Sequence, residues 1–216
     1  MESEVYPALD RQAKALGELR ARAVHEASVS RLPEGPAFYQ LALRQATTTA
    51  MTADEVHQLG LDQAQELTAS MDVLLRSQGK SSGTVAERAQ ALASDPLGRL
   101  GMLQSAVFRA ARCVVDTGLH SKGWSRERAI DYMVETTGDS RSKLTTEVER
   151  YCTWPGQATS YKVGQTRWLK LRADAQRRLG GKFDIRDFHD VGLSAAPMPL
   201  SVLERVVDDW LKGRGV

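Results

Sequence analysis

Residues 112–120 read Arg112-Cys113-Val114-Val115-Asp116-Thr117-Gly118-Leu119-His120, and they close an apolar run that begins near Leu100. The run predicts a helix over residues 100–115 that ends at Asp116-Thr117-Gly118, because glycine is a frequent helix-ending residue. Leu119, His120 and Ser121 are then expected in a loop, and loops often display functional side chains. We therefore expect this stretch to contribute both a core helix and an accessible histidine.

The rest of the chain has the same helical patterning. Apolar residues recur at helical spacing from Val5 to Leu19 in the first segment. Capping boxes, in which a Ser or Thr is followed three positions later by Glu, predict further helix starts at Thr52, Thr84 and Ser201. No segment of useful length alternates apolar and polar residues. The sequence therefore predicts an all-α fold, an irregular array of about seven to nine helices.

Length and composition are those of an ordinary globular protein. The chain has 216 residues, of which 42% are apolar and 26% are charged, and its formal net charge is +2. This length allows one large or two small domains. We expect two helical blocks, residues 1–96 and 97–216, packed as one domain.

The N-terminal residues show no basic segment followed by an apolar one, and no apolar run approaches the length of a membrane span. The cysteines Cys113 and Cys152 follow no metal-ligand spacing. We therefore expect a reduced protein in the cytoplasm, with no membrane partner.

Several common chemistries have no motif in this chain. A Gly-x-Ser-x-Gly elbow, a phosphate-binding glycine loop and a dinucleotide fingerprint are all absent from the sequence. The stretch from Arg167 to Arg178 is rich in arginine and contains Trp168, but Asp174 interrupts it. Such stretches are usually solvated helix faces, so nucleic acid is not an expected partner.

Several longer motifs occur together and in order. They are Leu32-Pro33-Glu34-Gly35-Pro36-Ala37-Phe38-Tyr39, Asp95-Pro96-Leu97-Gly98-Arg99-Leu100, Asp116-Thr117-Gly118-Leu119-His120, Trp154-Pro155-Gly156-Gln157 and Tyr161-Lys162-Val163-Gly164. In this combination the chain resembles the bacterial domain-of-unknown-function 885 family, helical proteins that are similar to zinc metallopeptidases. The resemblance covers about residues 5–96 and 95–210, which is nearly the whole chain.

The resemblance implies a zinc-binding helix with a His-Glu-x-x-Pro-Gly-His-His pattern and a glutamate-rich helix between the two blocks. Here the blocks meet at Asp95-Pro96, and the sequence contains neither helix. His25-Glu26 is the only His-Glu pair, and no histidine follows it before His57. The chain therefore resembles an internally truncated relative, with no catalytic residue, no metal site and no cofactor, since zinc is expected only in full-length relatives.

Five residues are candidates for substrate binding by resemblance: Arg112, Asp116, His120, Gln157 and Tyr161. Arg112 and Asp116 lie four residues apart and share a helix face. The guanidinium is suited to binding a substrate carboxylate, but the two residues could equally form a structural ion pair. His120 would donate to a bound carbonyl or carboxylate, or would instead interact with the end of the preceding helix.

Gln157 and Tyr161 follow the Trp154-Pro155-Gly156 turn. Gln157 would bond a peptide backbone, and the hydroxyl of Tyr161 would stabilise an oxyanion. The alternative is that Tyr151, Trp154 and Tyr161 are all aromatic core.

The function expected from these residues is that of a hydrolase-like helical protein that keeps substrate-side residues and is inactive alone. The alternatives are a non-catalytic protein–protein interaction module and one half of a split zinc-dependent hydrolase. Expected partners are a second copy or another chain that covers apolar helix faces, and a peptide or carboxylate ligand.

Overall fold

A computed structural model describes residues 4–90, 98–194 and 197–216, so the predicted junction at Asp95-Pro96 lies outside the described residues. Within these ranges the fold is all-α, as predicted, with no β-strand. No helix in these ranges combines the length and the apolar character that crossing a bilayer requires. The helices are α1 (Val5–Arg22), α2 (Gly35–Thr47), α3 (Ala53–Ser77), α4 (Val85–Gln90), α5 (Gly98–Ser121), α6 (Arg126–Thr137), α7 (Arg141–Thr153), α8 (Ser160–Leu179), α9 (Ile185–Leu193) and α10 (Leu200–Gly213).

The contact between α3 and α5 is the most extensive helix–helix contact of the described chain. It depends on Gly60, where the two helices approach closely. A Cβ atom at this position would lie 2.7 Å from Cγ2 of Val114 and 3.0 Å from the carbonyl oxygen of Ala110. Both distances are shorter than normal packing allows, so the approach requires glycine.

Helix α5 is longer than the sequence predicts. It continues to Ser121, so the expectation that His120 lies in a loop is wrong. Gly118 lies inside the helix, and a Cβ atom there would be 2.6 Å from the ring of Trp124. This glycine makes room for the indole and does not end the helix. His120 is consequently part of the last helical turn.

Two large clusters of buried side chains form most of the core. The first joins α5, α6 and α7 and includes Leu119, Ile130, Met133, Leu144, Val148 and Tyr151. The second joins α8, α9 and α10 and includes Leu179, Phe188, Leu203, Val207 and Leu211. A smaller cluster packs Val107 with Met71 and Leu75, from both sides of the predicted block boundary. The division into residues 1–96 and 97–216 stays a prediction.

Two of the three predicted capping boxes are confirmed. The hydroxyl of Thr52 accepts from the Glu55 amide at 3.2 Å, and the Glu55 carboxylate accepts from the Thr52 amide at 2.7 Å. Thr84 and Glu87 form the same pair of bonds. The box at Ser201 is wrong, because α10 begins at Leu200 and its N-cap is Pro199, two residues before the predicted one. The amide of Leu200 donates to the hydroxyl of Thr48, 2.8 Å away at the end of α2.

We expect Gly60→Ala to lower the free energy of unfolding by about 1–3 kcal/mol, because the added methyl group forces α3 and α5 apart. Gly164→Ala is the matched control. It lies inside α8 with no atom within 4 Å of its Cβ position. It should raise stability by up to about 1 kcal/mol through helix propensity. Urea denaturation of both variants measures the two effects, and an unchanged midpoint for Gly60→Ala would contradict the close-contact argument.

Candidate functional site

Three of the five predicted site residues lie on one face of α5. Arg112, Asp116 and His120 are spaced four residues apart, and their exposed fractions are 7%, 0% and 1%. Ionisable groups are rarely buried so completely unless other groups satisfy them. The partners of each side chain therefore define what this face can do.

Asp116 connects α5 to two other segments. Its carboxylate accepts from the hydroxyl of Tyr39 at 2.6 Å and from the amide of Gly156 at 2.9 Å. Gly156 has a positive φ of 81°, and a Cβ atom there would lie 2.9 Å from the backbone of Ala42. Glycine is therefore needed both for the turn and for its packing on α2. Burial raises the pKa of Asp116 to about 7, although its hydrogen bonds and the charge of Arg112 favour the carboxylate.

His120 is held on both sides of its ring. Its Nδ1 accepts from the amide of Val29 at 3.3 Å, and its Nε2 lies 3.1 Å from the carbonyl oxygen of Tyr151. These contacts require the neutral tautomer with the proton on Nε2, and burial lowers the pKa of the ring. Tyr151 belongs to the last turns of α7, so the histidine satisfies a carbonyl there and not at the end of its own helix. These contacts favour a structural role for His120.

Arg112 does not pair with Asp116. No ion pair joins them in the described structure, and Arg112 donates instead to the side-chain oxygen of Gln157 at 3.2 Å. The same oxygen accepts from Arg150 at 2.9 Å, and Arg150 also pairs with Glu147. Asp116 instead accepts hydrogen bonds from Tyr39 and Gly156. The Gln157 amide thus lies between two guanidinium groups.

Tyr161 covers the outer side of this arrangement. Its ring centroid lies 5.0 Å from the guanidinium of Arg112, and the side chain is 54% exposed. Tyr151 lies on another side of the same guanidinium, at 5.6 Å, and is buried. The alternative that Tyr151, Trp154 and Tyr161 are all aromatic core is therefore wrong for Trp154 and Tyr161, which are both exposed. We call Arg112, Arg150, Gln157 and Tyr161 the Arg112 cluster.

The Arg112 cluster lies beside two surface hollows. One, of about 450 Å³, is lined by Gln157 and Ser160 together with the exposed rings of Phe38 and Trp154. The other, of about 310 Å³, is lined by Arg109, Tyr161 and Gln165. The cluster therefore has an aromatic surface on one side and a cationic surface on the other.

A family model described as "Bacterial protein of unknown function (DUF885)" matches residues 1–97 and 92–207. Together the two matches cover nearly the whole chain. The chain belongs to this family. The resemblance found in the sequence is thereby confirmed. The description of the family names no activity.

One solved structure, named "The crystal structure of the putative lipoprotein from Colwellia psychrerythraea", is similar to this DUF885 chain. The TM-score is 0.92 at 26% sequence identity, and the match covers 97% of this chain. It covers 61% of the other chain, so this DUF885 chain spans less than two thirds of that relative. The comparison with curated proteins gave no match.

The described residues of this DUF885 chain do not fit a catalytic zinc. Such a site takes three protein ligands, and no group of three or more His, Cys, Asp or Glu residues gathers within the described ranges. His57 is bonded to the hydroxyl of Thr117 at 2.7 Å, and His189 stacks on Trp168 at 6.1 Å. Each described histidine at these positions is thus engaged separately.

The arginine-rich stretch of α8 is largely paired with acids. Arg167 contacts Glu204 at 3.3 Å, and Arg178 contacts Asp208 at 2.9 Å, both on α10. These contacts give the basic residues a role in holding α8 against α10. The absence of a nucleic-acid partner stays a prediction.

Sequence reasoning missed Tyr39, Glu147 and Arg150. Tyr39 lies 77 residues from its partner Asp116, so no local pattern links the two. Arg150 lies seven residues before Gln157, on the other side of a turn, and its contact depends on how that turn folds. The one available signal was the glycine of Trp154-Pro155-Gly156, since glycine after proline indicates a tight turn.

We expect Asp116→Asn to remove a specific pH dependence of stability. Because the folded pKa of Asp116, about 7, exceeds its ordinary value of 3.8, the folded state holds the proton more tightly. The stabilisation is therefore present below pH 4 and is lost as the pH rises to 7. The wild-type free energy of unfolding, minus that of the variant, should fall by on the order of 4 kcal/mol between those limits.

Urea denaturation between pH 4 and 8 tests this expectation. Asp131→Asn is the control, because Asp131 is exposed and paired with Arg141. That variant should keep the fall in stability that Asp116 causes. Parallel profiles for wild type and Asp116→Asn would show that Asp116 does not titrate in this range.

Proposed function

We propose that this chain is a hydrolase-like DUF885 protein that binds a peptide or carboxylate ligand at the Arg112 cluster and does not hydrolyse it alone. The observation that carries the proposal is the state of Arg112. Its Nε is buried and has no hydrogen-bond partner in the described structure. A buried, charged donor without a partner costs at least about 1–3 kcal/mol.

A ligand carboxylate would remove this cost. The guanidinium presents a planar set of donors that matches a carboxylate in two parallel bonds. Tyr161 lies over the guanidinium and is half exposed. Since exposed side chains change rotamer within nanoseconds, movement of this ring would open the guanidinium to a ligand.

The local charge supports an anionic ligand. Arg109, Arg112 and Arg150 all lie around Tyr151 and Tyr161. Glu147, the acid of this region, already accepts from Arg150 and from the hydroxyl of Tyr151. Asp116 offers little compensation, because burial raises its pKa to about 7. A cleft with this excess of positive charge attracts carboxylates.

Peptide recognition would use the neighbouring groups. Gln157 lines the hollow that contains the exposed rings of Phe38 and Trp154, which suits an apolar side chain of a peptide. The hydroxyl of Tyr161 would donate to a ligand carbonyl. Such a donor stabilises an oxyanion only when a nucleophile attacks. Burial raises the pKa of Cys113 to about 12, so that buried thiol is a poor candidate for the nucleophile.

A second candidate is one half of a split zinc-dependent hydrolase. The specific observation in its favour is that the chain matches only 61% of the length of its structural relative. The neighbouring coding sequence tests this candidate. If it encodes a chain with a His-Glu-x-x-Pro-Gly-His-His pattern, and that chain co-purifies with this protein, the candidate is supported. We also propose that the protein is cytoplasmic, which fractionation of cells would test.

Binding of the peptide tetra-alanine and of its C-terminal amide, measured by calorimetry, tests the main proposal. We expect the amide to bind about tenfold more weakly, because it offers no carboxylate. Arg112→Gln should weaken binding of the free acid by about 1.5–3 kcal/mol. Tyr161→Ala should change affinity without changing stability, since its side chain is exposed.

Arg141→Gln is the control for charge, because Arg141 is exposed and lies on α7 away from the cluster's contacts. It should bind both peptides as wild type does. Equal affinity for the acid and the amide would overturn the carboxylate site. About one zinc per chain, together with release of alanine, would instead restore an active hydrolase.

A further inference from the structure

Helix α1 exposes an apolar stripe that one polar residue interrupts. Val5, Leu9, Leu16 and Leu19 are each between 45% and 58% exposed, and α1 contains no buried residue. Together with Gln12, which lies in the middle of the stripe, these residues are spaced alternately four and three apart. This spacing places them along one side of the helix. Because a helix gains most of its stability from packing such a face, the stripe is a surface that needs an occupant.

A groove elsewhere on the molecule has the opposite character. It is a hollow of about 760 Å³ between α3, α4 and α6. Its lining consists mostly of small and apolar side chains, among them Leu61, Ala64, Val85, Ala86 and Tyr132. Three acids line the groove: Asp62 on α3, Glu135 on α6, and Asp72 on α3, which is already paired with Arg76 and Arg88. Small side chains at a groove floor allow a helix to approach closely.

The charges of the two surfaces are complementary. Among the described residues, neither Asp62 nor Glu135 takes part in an ion pair. On α1 the same holds for Arg20 and Arg22. Helical geometry places Arg20 on one side of the stripe and Arg22 on the other. A helix that inserts its stripe into the groove therefore brings one arginine towards each acidic wall.

We propose that α1 of one copy of this chain docks in the α3–α4–α6 groove of a second copy, giving a reciprocal dimer. This inference goes beyond the ligand site and does not depend on it. The lengths agree: 18 residues of α1 span about 27 Å, and the α3 wall from Gln58 to Asp72 spans about 21 Å. A two-fold arrangement uses both surfaces twice and leaves neither exposed.

Pairing of α1 with α1 of the copy is the weaker arrangement on the same evidence. The positions that flank the stripe are alanines and the two arginines, with Tyr6. They supply no acid to fix the register of a coiled coil. Of these two described surfaces, the groove is the one that offers acids to the arginines.

Sedimentation velocity across the micromolar range tests the dimer. Leu16→Glu combined with Leu19→Glu should raise the dissociation constant at least tenfold. Leu193→Glu, at an exposed leucine of α9, is the matched control and should leave the dimer unchanged. Circular dichroism monitors folding, which the α1 variants should not affect because no residue of α1 is buried.

Charge reversal tests the pairing itself. Arg20→Glu with Arg22→Glu should be monomeric, and so should Asp62→Arg with Glu135→Arg. Mixed in equal amounts, the two variants should form a heterodimer, because each helix then meets a groove of opposite charge. A wild-type protein that is monomeric throughout, a dimer that survives the α1 variants, or a mixture that stays monomeric would each overturn the proposal. Monomers whose α1 cross-links to their own groove would assign that groove to the same chain.

Discussion

The buried carboxylate of Asp116 is the interaction on which the rest of the candidate site depends. It joins the C-terminal part of α5 to the tyrosine hydroxyl of α2 and to the amide of Gly156. The turn that it holds determines where Gln157 lies, and Gln157 in turn orients Arg112 and Arg150. A group outside the Arg112 cluster can thus determine the geometry of the side chains proposed to bind a ligand. The burial of this carboxyl group away from water is unfavourable, and the two donors, Tyr39 and Gly156, only partly offset it.

Much of the fold could be predicted because its causes are local. Helical spacing of apolar residues and the capping boxes at Thr52 and Thr84 each depend on residues within one or two turns. The family could also be recognised, since a set of motifs in a fixed order is visible in the sequence without knowledge of the contacts that the motifs make. The errors arose where a residue contacts a group outside its own helix. Gly118 accommodates Trp124, and the start of α10 is fixed by Thr48.

Only part of the candidate site's membership was predictable, and its connections were not. Arg112, Gln157 and Tyr161 do lie together, whereas the expected pair of Arg112 with Asp116 does not form. Spacing along a helix shows which side chains could meet, but partners from other segments decide which do. Tyr39 and Arg150 reach the site from α2 and α7, and no sequence pattern around Arg112 predicts their contacts. His120 shows the same limit, because only the fold reveals that both of its ring nitrogens are bonded.

The bond from Leu200 to Thr48 has a consequence for how the chain folds. The two residues are 152 positions apart, and the hydroxyl becomes available only after α2 has ended in the left-handed conformation at Thr48. Closing so long a loop is slow relative to forming local helices. During synthesis, α2 leaves the ribosome long before α10 exists. The contact between α10 and the end of α2 therefore forms after α2 itself. The packing of α10 on α8 is expected to be among the latest events of folding.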